Sequence, residues 1–162
     1  LWGSGAETAA QELSRLFQEQ EELLSVTRPD SLVSRLNSGE TVELPQSMQP
    51  LFQEALSLSR RTGGALDPCL YPVTKLWGFT TGTYRVPEPE EISSALAHTG
   101  AEQLHLDGPR ASLGTQAQLD LGALGKGWAG RLAVEYLAAQ SGITGGILAL
   151  GGNVQTLSLI HI

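Results

Sequence analysis

Residues 119–130 read LDLGALGKGWAG: an acid, closely spaced glycines and a lysine, leading into an apolar-periodic stretch. Few local patterns restrict a chain as much. The pattern predicts an extended segment carrying Asp120, a flexible glycine turn, and a helix that opens near Lys126 and continues through RLAVEYLAAQ. Two familiar nucleotide motifs can be tested against it. Gly125, Gly127 and Gly130 spell G-x-G-x-x-G, but a dinucleotide fingerprint also needs a buried strand before it and an acid about twenty residues later to hold a ribose. No Asp or Glu follows Glu135. A Walker loop needs Ser or Thr after its lysine, and Gly127 stands there. Both fail on a missing partner. An acid, a close-approach turn and a lysine at a helix N-terminus remain, an arrangement that suits an anionic ligand. The alternative, glycines serving only helix packing with Asp120 as an ordinary cap, stays open on this stretch alone.

Charge narrows the partners. The 162-residue chain carries 10 Lys and Arg against 17 Asp and Glu, a formal net charge of −7. Nucleic acid and anionic membrane surfaces are therefore not expected partners, because the summed field repels them. An anionic ligand needs local help from a cation, a lysine or backbone N–H groups. Cys69 is alone, which excludes an intrachain disulfide and a thiolate metal cluster. No apolar run reaches the length of a membrane span, and no signal-peptide pattern is visible at the start.

Along the chain, Ser4 is positioned to cap a helix over about 6–24, with Leu13, Leu16, Phe17, Leu23 and Leu24 as its buried stripe. Residues 26–37 read as irregular around an Arg28-Pro29-Asp30 turn. A second helix is predicted over about 48–61, stopped by Gly63-Gly64. ALDPCLYPVTKLWGF fits neither period; Pro68 and Pro72 stiffen it into a loop that holds side chains in place. VPEPEEISSALAHTG reads as a short helix with Glu88, Glu90 and Glu91 at its positive end. EQLHLDG and RASLG read as two strands around Asp107-Gly108, AQLDL as extended, and GGILALGGNVQTL as one buried strand bounded by glycines. The alternation predicts a single mixed α/β (α+β) domain. The chain begins LWGSGAE without Met and ends LSLIHI. We therefore expect a domain over 1–157 that is incomplete at both ends, and a non-native tail over 158–162.

Read together and in order, GGALDPCLYPVTKLWGF, LDLGALGKGWAG and ILALGGN resemble the ApbE family of flavin transferases (FAD:protein FMN transferases). SLVSRLN at 31–37 is similar to that family's upstream S-x-x-x-x-L-N signature. The resemblance implies a Mg²⁺-dependent enzyme that cleaves FAD, attaches FMN to a threonine of a client protein and releases AMP. It also implies a place outside the cytoplasmic membrane, reached in many members through an N-terminal lipid anchor that this chain does not show. Carried over by position, Ala65, Leu66, Asp67, Asp120 and Lys126 are implied FAD contacts, and the Ala123 carbonyl an implied Mg²⁺ ligand. No residue takes an implied catalytic role. Leu66 stands where phenylalanine is common in the family and Cys69 where threonine is common. The family's other metal ligands and a later histidine fall beyond GGN, so the 162-residue chain by itself is expected to be inactive. The alternative expectation is a module that binds FAD or a nucleotide without transferring it. Of the remaining residues, Trp77 and Phe79 are expected to pack in the core or against loops, His98 and His105 to lie at the surface, and Cys69 to be small, buried and inert.

Overall fold

The computed structural model describes residues 1–158, and the chain divides into two units. One joins Leu1–Glu21 to the described residues from Gly122 on; the other is Glu22–Leu121. Residues 159–162 of the expected tail lie outside the described residues, and Ser158 closes a strand.

The first unit is built on two helices and a hairpin. Helix α1 (Ala6–Leu24) buries Ala9 and Leu13 and keeps its charges outside, where Arg15 pairs with Glu12 and Glu19 one turn away on either side. Such exposed pairs contribute only tenths of a kcal/mol, so the apolar stripe holds the helix. The start differs from the Ser4 cap expected: the first i→i+4 bond runs from Ala9 N–H to the Gly5 carbonyl, at 2.9 Å. Ala9 and Leu13 form a core with Ala133, Leu137 and Ile143, with Phe17, Leu148 and Leu157 packed around it. Ala133 and Leu137 lie on the long helix Gly122–Ala138, called α6 below. The flexible glycine turn expected ahead of the helix is corrected over 122–124, because α6 already starts at Gly122. Gly122, Gly125, Gly127 and Gly130 all lie within α6, and none has a positive φ. Each costs about 1 kcal/mol relative to alanine in a helix, so packing rather than propensity makes this segment helical. Gly130 shows how, because a Cβ there would run into the Gln155 amide, whose Nε2 donates to the Gly127 carbonyl at 3.4 Å.

GGILALGGNVQTL corrects the sequence reading in the same unit. It is two strands, Gly145–Leu150 and Asn153–Ser158 (β4 and β5 below), paired antiparallel with Leu150 opposite Asn153. The two-residue turn is Gly151-Gly152, at φ +56° and +96°, the positive-φ pair a tight hairpin requires. Neither strand is wholly buried: Ile147 and Val154 are exposed.

In the second unit, 26–37 is not all irregular. Helix α2 (Leu32–Asn37) buries Leu32, Val33 and Leu36. Ser31 starts it, its Oγ accepting from Ser34 N–H at 2.9 Å and donating to the Ser25 carbonyl. Strand β1 (Val42–Glu43), which the periodicity did not reveal, pairs with β3 (Arg110–Leu113), which pairs with β2 (Leu104–Asp107) in an antiparallel sheet of order β1-β3-β2. Helix α3 (Gln49–Arg61) buries Leu51, Phe52 and Ala55, and Met48, Val33, Leu36 and Ala111 of the same unit are buried too. Gly63 and Gly64 stop it at φ +61° and +84°. The stretch expected to be a stiff loop holds more hydrogen-bonded order than that. It forms one helical turn, α4 (Tyr71–Thr74), and a 3-10 turn over Lys75–Trp77 that ends on left-handed Gly78.

Helix α5 (Pro89–Leu96) begins where the sequence placed it, with Glu91 accepting from Glu88 N–H at 2.9 Å. Arg85 clamps the same carboxylate with two bonds of 2.8 Å while its Nε donates to the Leu76 carbonyl. Arg85 first, and the Glu88 amide second, hold the Glu91 carboxyl below its ordinary value of 4.5. Because the folded value is depressed, the contribution is present above 4.5 and is lost as pH falls through the lower folded value. In an NMR titration Glu91 is expected to titrate below 4.5 and to rise toward 4.5 in Arg85→Ala, where the Glu88 amide bond remains. A wild-type midpoint at or above 4.5 contradicts the clamp. No helix among the described residues is long and apolar enough to cross a membrane.

Candidate functional site

The loop after α3 carries three of the implied ligand contacts. Thr62 organises it: its Oγ1 donates to the Leu58 carbonyl at 2.8 Å and accepts from Leu66 N–H at 3.1 Å. Ala65 is thereby exposed and Leu66 half-buried. Asp67 is a brace. One carboxylate oxygen accepts from Cys69 N–H and the other from Gly100 N–H, both at 2.8 Å. A ligand at this loop would meet the Ala65–Leu66 edge and whatever acceptor capacity Asp67 retains. Cys69 behind it is fully buried, and burial first, then the Asp67 charge, pushes its thiol up to about 12, so it is no nucleophile. A cleft of about 480 Å³ opens beside Gly63, Gly64 and Asp67, with Ser59, Arg60 and Glu102 on its other walls. That volume is in the range of small-molecule sites.

Asp120 is brought to the same loop by backbone pairing. Its N–H donates to the Pro68 carbonyl at 2.8 Å, and Gln118 bridges Leu70 in parallel. AQLDL is therefore extended, but it belongs to neither sheet of the described residues; these two contacts and a side chain help to hold it. That side chain is Asn37, whose Nδ2 donates to the Leu119 carbonyl at 2.9 Å and whose Oδ1 accepts from Leu119 N–H at 2.6 Å. Asn37 had been noted only as the last letter of a signature. A half-buried side chain facing a segment outside any sheet leaves no periodic signal in the sequence.

Ala123 and Lys126 belong to the other unit, on the opening turns of α6, and both are exposed. A helix N-terminus carries partial positive charge and favours anions. The Lys126 stem lies over the hairpin turn: a Cβ on Gly151 would come within 3.3 Å of its Cε. An exposed lysine beside a glycine turn, at the positive end of a helix, fits a phosphate-bearing ligand. Magnesium fits less well. It takes six hard oxygen ligands, and the Ala123 carbonyl is one candidate. Among the described residues no three His, Cys, Asp or Glu gather to hold a metal ion. The residues described do not by themselves make a magnesium site.

Elsewhere, Phe79 corrects its expected packing role, being mostly exposed with only a tilted contact to Tyr84 at 6.0 Å. Trp77 and His98 are half-buried, and His105 is exposed.

Comparison with known proteins meets this geometry. The model of the ApbE family matches residues 2–160. A FAD:protein FMN transferase of Treponema pallidum is 33% identical, over 93% of this chain and 44% of its own length. One of Vibrio cholerae is 32% identical, over 95% and 48%. The apo flavinyl transferase ApbE of Pseudomonas stutzeri superposes with a TM-score of 0.85 at 30% identity, covering 95% of this chain and 50% of that one. The ApbE protein of Thermotoga maritima does so with the same score and identity. The chain spans about half the length of the curated relatives it matches. With its mixed helix-and-strand fold, its LDLG segment and its GGN hairpin turn all falling inside the matched residues, the chain belongs to the ApbE family.

Proposed function

We propose that this chain is the flavin-binding part of a FAD:protein FMN transferase. The observation that carries the reading is its similarity, over more than nine-tenths of its length, to relatives bearing that name. In the reaction a client threonine hydroxyl attacks the FMN-side phosphorus of FAD. A P–O bond to threonine forms, the pyrophosphate P–O bond breaks, and AMP leaves. Such a transfer depends on positioning and charge neutralisation. The fit of Lys126 to a phosphate supports a role in neutralising the pyrophosphate, and Asp120 and the Ala65–Asp67 loop are assigned to the flavin nucleotide. Magnesium would supply further neutralisation, with the Ala123 carbonyl as one of its oxygen ligands. The same reading puts the protein outside the cytoplasmic membrane.

A second reading, flavin binding without transfer, is favoured by the absence of any group of three His, Cys, Asp or Glu that could hold a metal ion among the described residues. One experiment separates the two. The chain is incubated with FAD, Mg²⁺ and a threonine-bearing acceptor domain, and covalent flavin is read by fluorescence after denaturing electrophoresis. Free-FAD affinity is measured alongside. We expect FAD binding without covalent transfer, and binding weakened roughly 10–100-fold in Asp120→Ala and in Lys126→Ala, the loss of one charged contact. Transfer by the chain alone contradicts its expected inactivity. Failure to bind FAD contradicts the flavin assignment itself.

A further inference from the structure

Asp120 sits at a junction. Leu119 before it is fully buried, and α6 starts two residues after it. A segment in a sheet is held by ladder bonds on either side, but 118–120 has no neighbouring strand. On one side it has the loop: Pro68 takes the Asp120 N–H, and Leu70 bridges Gln118. Asn37 supplies the other side. Its Nδ2 donates to the Leu119 carbonyl and its Oδ1 accepts from the Leu119 N–H, so both ends of the side-chain amide engage the single residue Leu119.

The rest of SLVSRLN serves to place that amide. Ser31 caps α2, Leu36 is fully buried, and Asn37 is the last residue of the helix. A half-buried amide with its oxygen and its nitrogen both engaged has little freedom to move. We propose that Asn37 is a positioning residue for flavin binding: by bracketing the Leu119 peptide it fixes the direction in which Asp120 leaves the backbone. The proposal rests on Asp120 being a flavin contact, as assigned above. It also gives the S-x-x-x-x-L-N pattern a physical content, since serine starts the helix, leucine anchors it and asparagine aims the next segment.

The test is a double-mutant cycle on FAD affinity in the 162-residue chain, with fold checked by circular dichroism. Asn37→Ala is expected to weaken FAD binding roughly tenfold when Asp120 is present, and by less than about twofold when Asp120 is already alanine. Asn37→Asp keeps the acceptor for Leu119 N–H and loses the donor to its carbonyl. It should fall between wild type and Asn37→Ala, and it carries the test if Asn37→Ala does not fold. Ser31→Ala, which removes the α2 cap but neither bond to Leu119, should lower the melting temperature and weaken FAD binding by less than Asn37→Ala does. An equal loss in both Asp120 backgrounds, or unchanged affinity in Asn37→Ala, overturns the positioning role while leaving the flavin reading intact. If the wild-type chain does not bind FAD, the flavin reading falls and the positioning role falls with it.

Discussion

Phe52→Ala is expected to destabilise the chain by about 3–5 kcal/mol, the cost of emptying a fully buried aromatic site. Phe52 has no exposed surface. It projects from α3 beside Leu51 and Ala55, and buried Met48 stands at the N-cap of the same helix. Deleting the ring removes its transfer free energy and leaves a void that rigid helix and sheet neighbours cannot fill. Against the 5–15 kcal/mol typical of a domain, that is a large share. The melting temperature should fall by roughly 6–20 °C for a chain of this size. The loop carrying Ala65–Asp67 hangs from the C-terminus of α3 through Thr62, so FAD affinity should weaken near the transition and be little changed well below it. A loss under about 1 kcal/mol in chemical denaturation would show that Phe52 is not a keystone of this core.

Gly78→Ala should cost roughly 2–5 kcal/mol, combining left-handed strain with overpacking. Gly78 ends the 3-10 turn at φ +76° and ψ +15°. It donates to the Lys75 carbonyl at 3.0 Å, and its own carbonyl accepts from Gly82 N–H at 2.9 Å. A Cβ there would overlap the Thr83 carbonyl. The clash is with backbone, which no rotamer change relieves, so the loop that returns to Trp77 through Arg85 N–H must open. Gly82 is the control: at φ +75° it carries the same strain, but a Cβ would meet nothing within 4 Å. Gly82→Ala should therefore cost only the conformational part, roughly 1–2 kcal/mol. Equal effects of the two substitutions on chemical denaturation would sink the steric account of the LWGF glycine.

The sequence by itself determined what local chemistry encodes. Helix α1 follows from its apolar stripe and α3 from the Gly63-Gly64 stop. Helix α5 follows from its acidic start, and β2 and β3 from the apolar runs either side of a glycine turn. The segments carrying Asp67, Asp120 and Lys126 were legible in part, as an acid before glycines and a lysine near a helix start, while the helical turns after Asp67 and the start of α6 at Gly122 were not. Where the sequence reading missed, some signals were present and unused. Gly-Gly between apolar runs is itself a hairpin signal, and Ser31 followed by Leu32, Val33 and Leu36 is a capped helical turn.

Other features depend on contacts that no local pattern records. Four glycines make α6 a poor helix on propensity, and it forms because Ala133 and Leu137 pack with Ala9 and Leu13, with Gly130 admitting the Gln155 amide. Asp67 is a ligand contact only as the family resemblance implies it, and it is tertiary structure that engages both its oxygens with the amides of Cys69 and Gly100. Asn37 closes a stretch that reads as irregular in the sequence, yet it brackets a residue 82 positions away. Periodicity reports which face a residue shows to the core. It does not report which distant backbone a side-chain amide will meet, and that pairing is what aims Asp120.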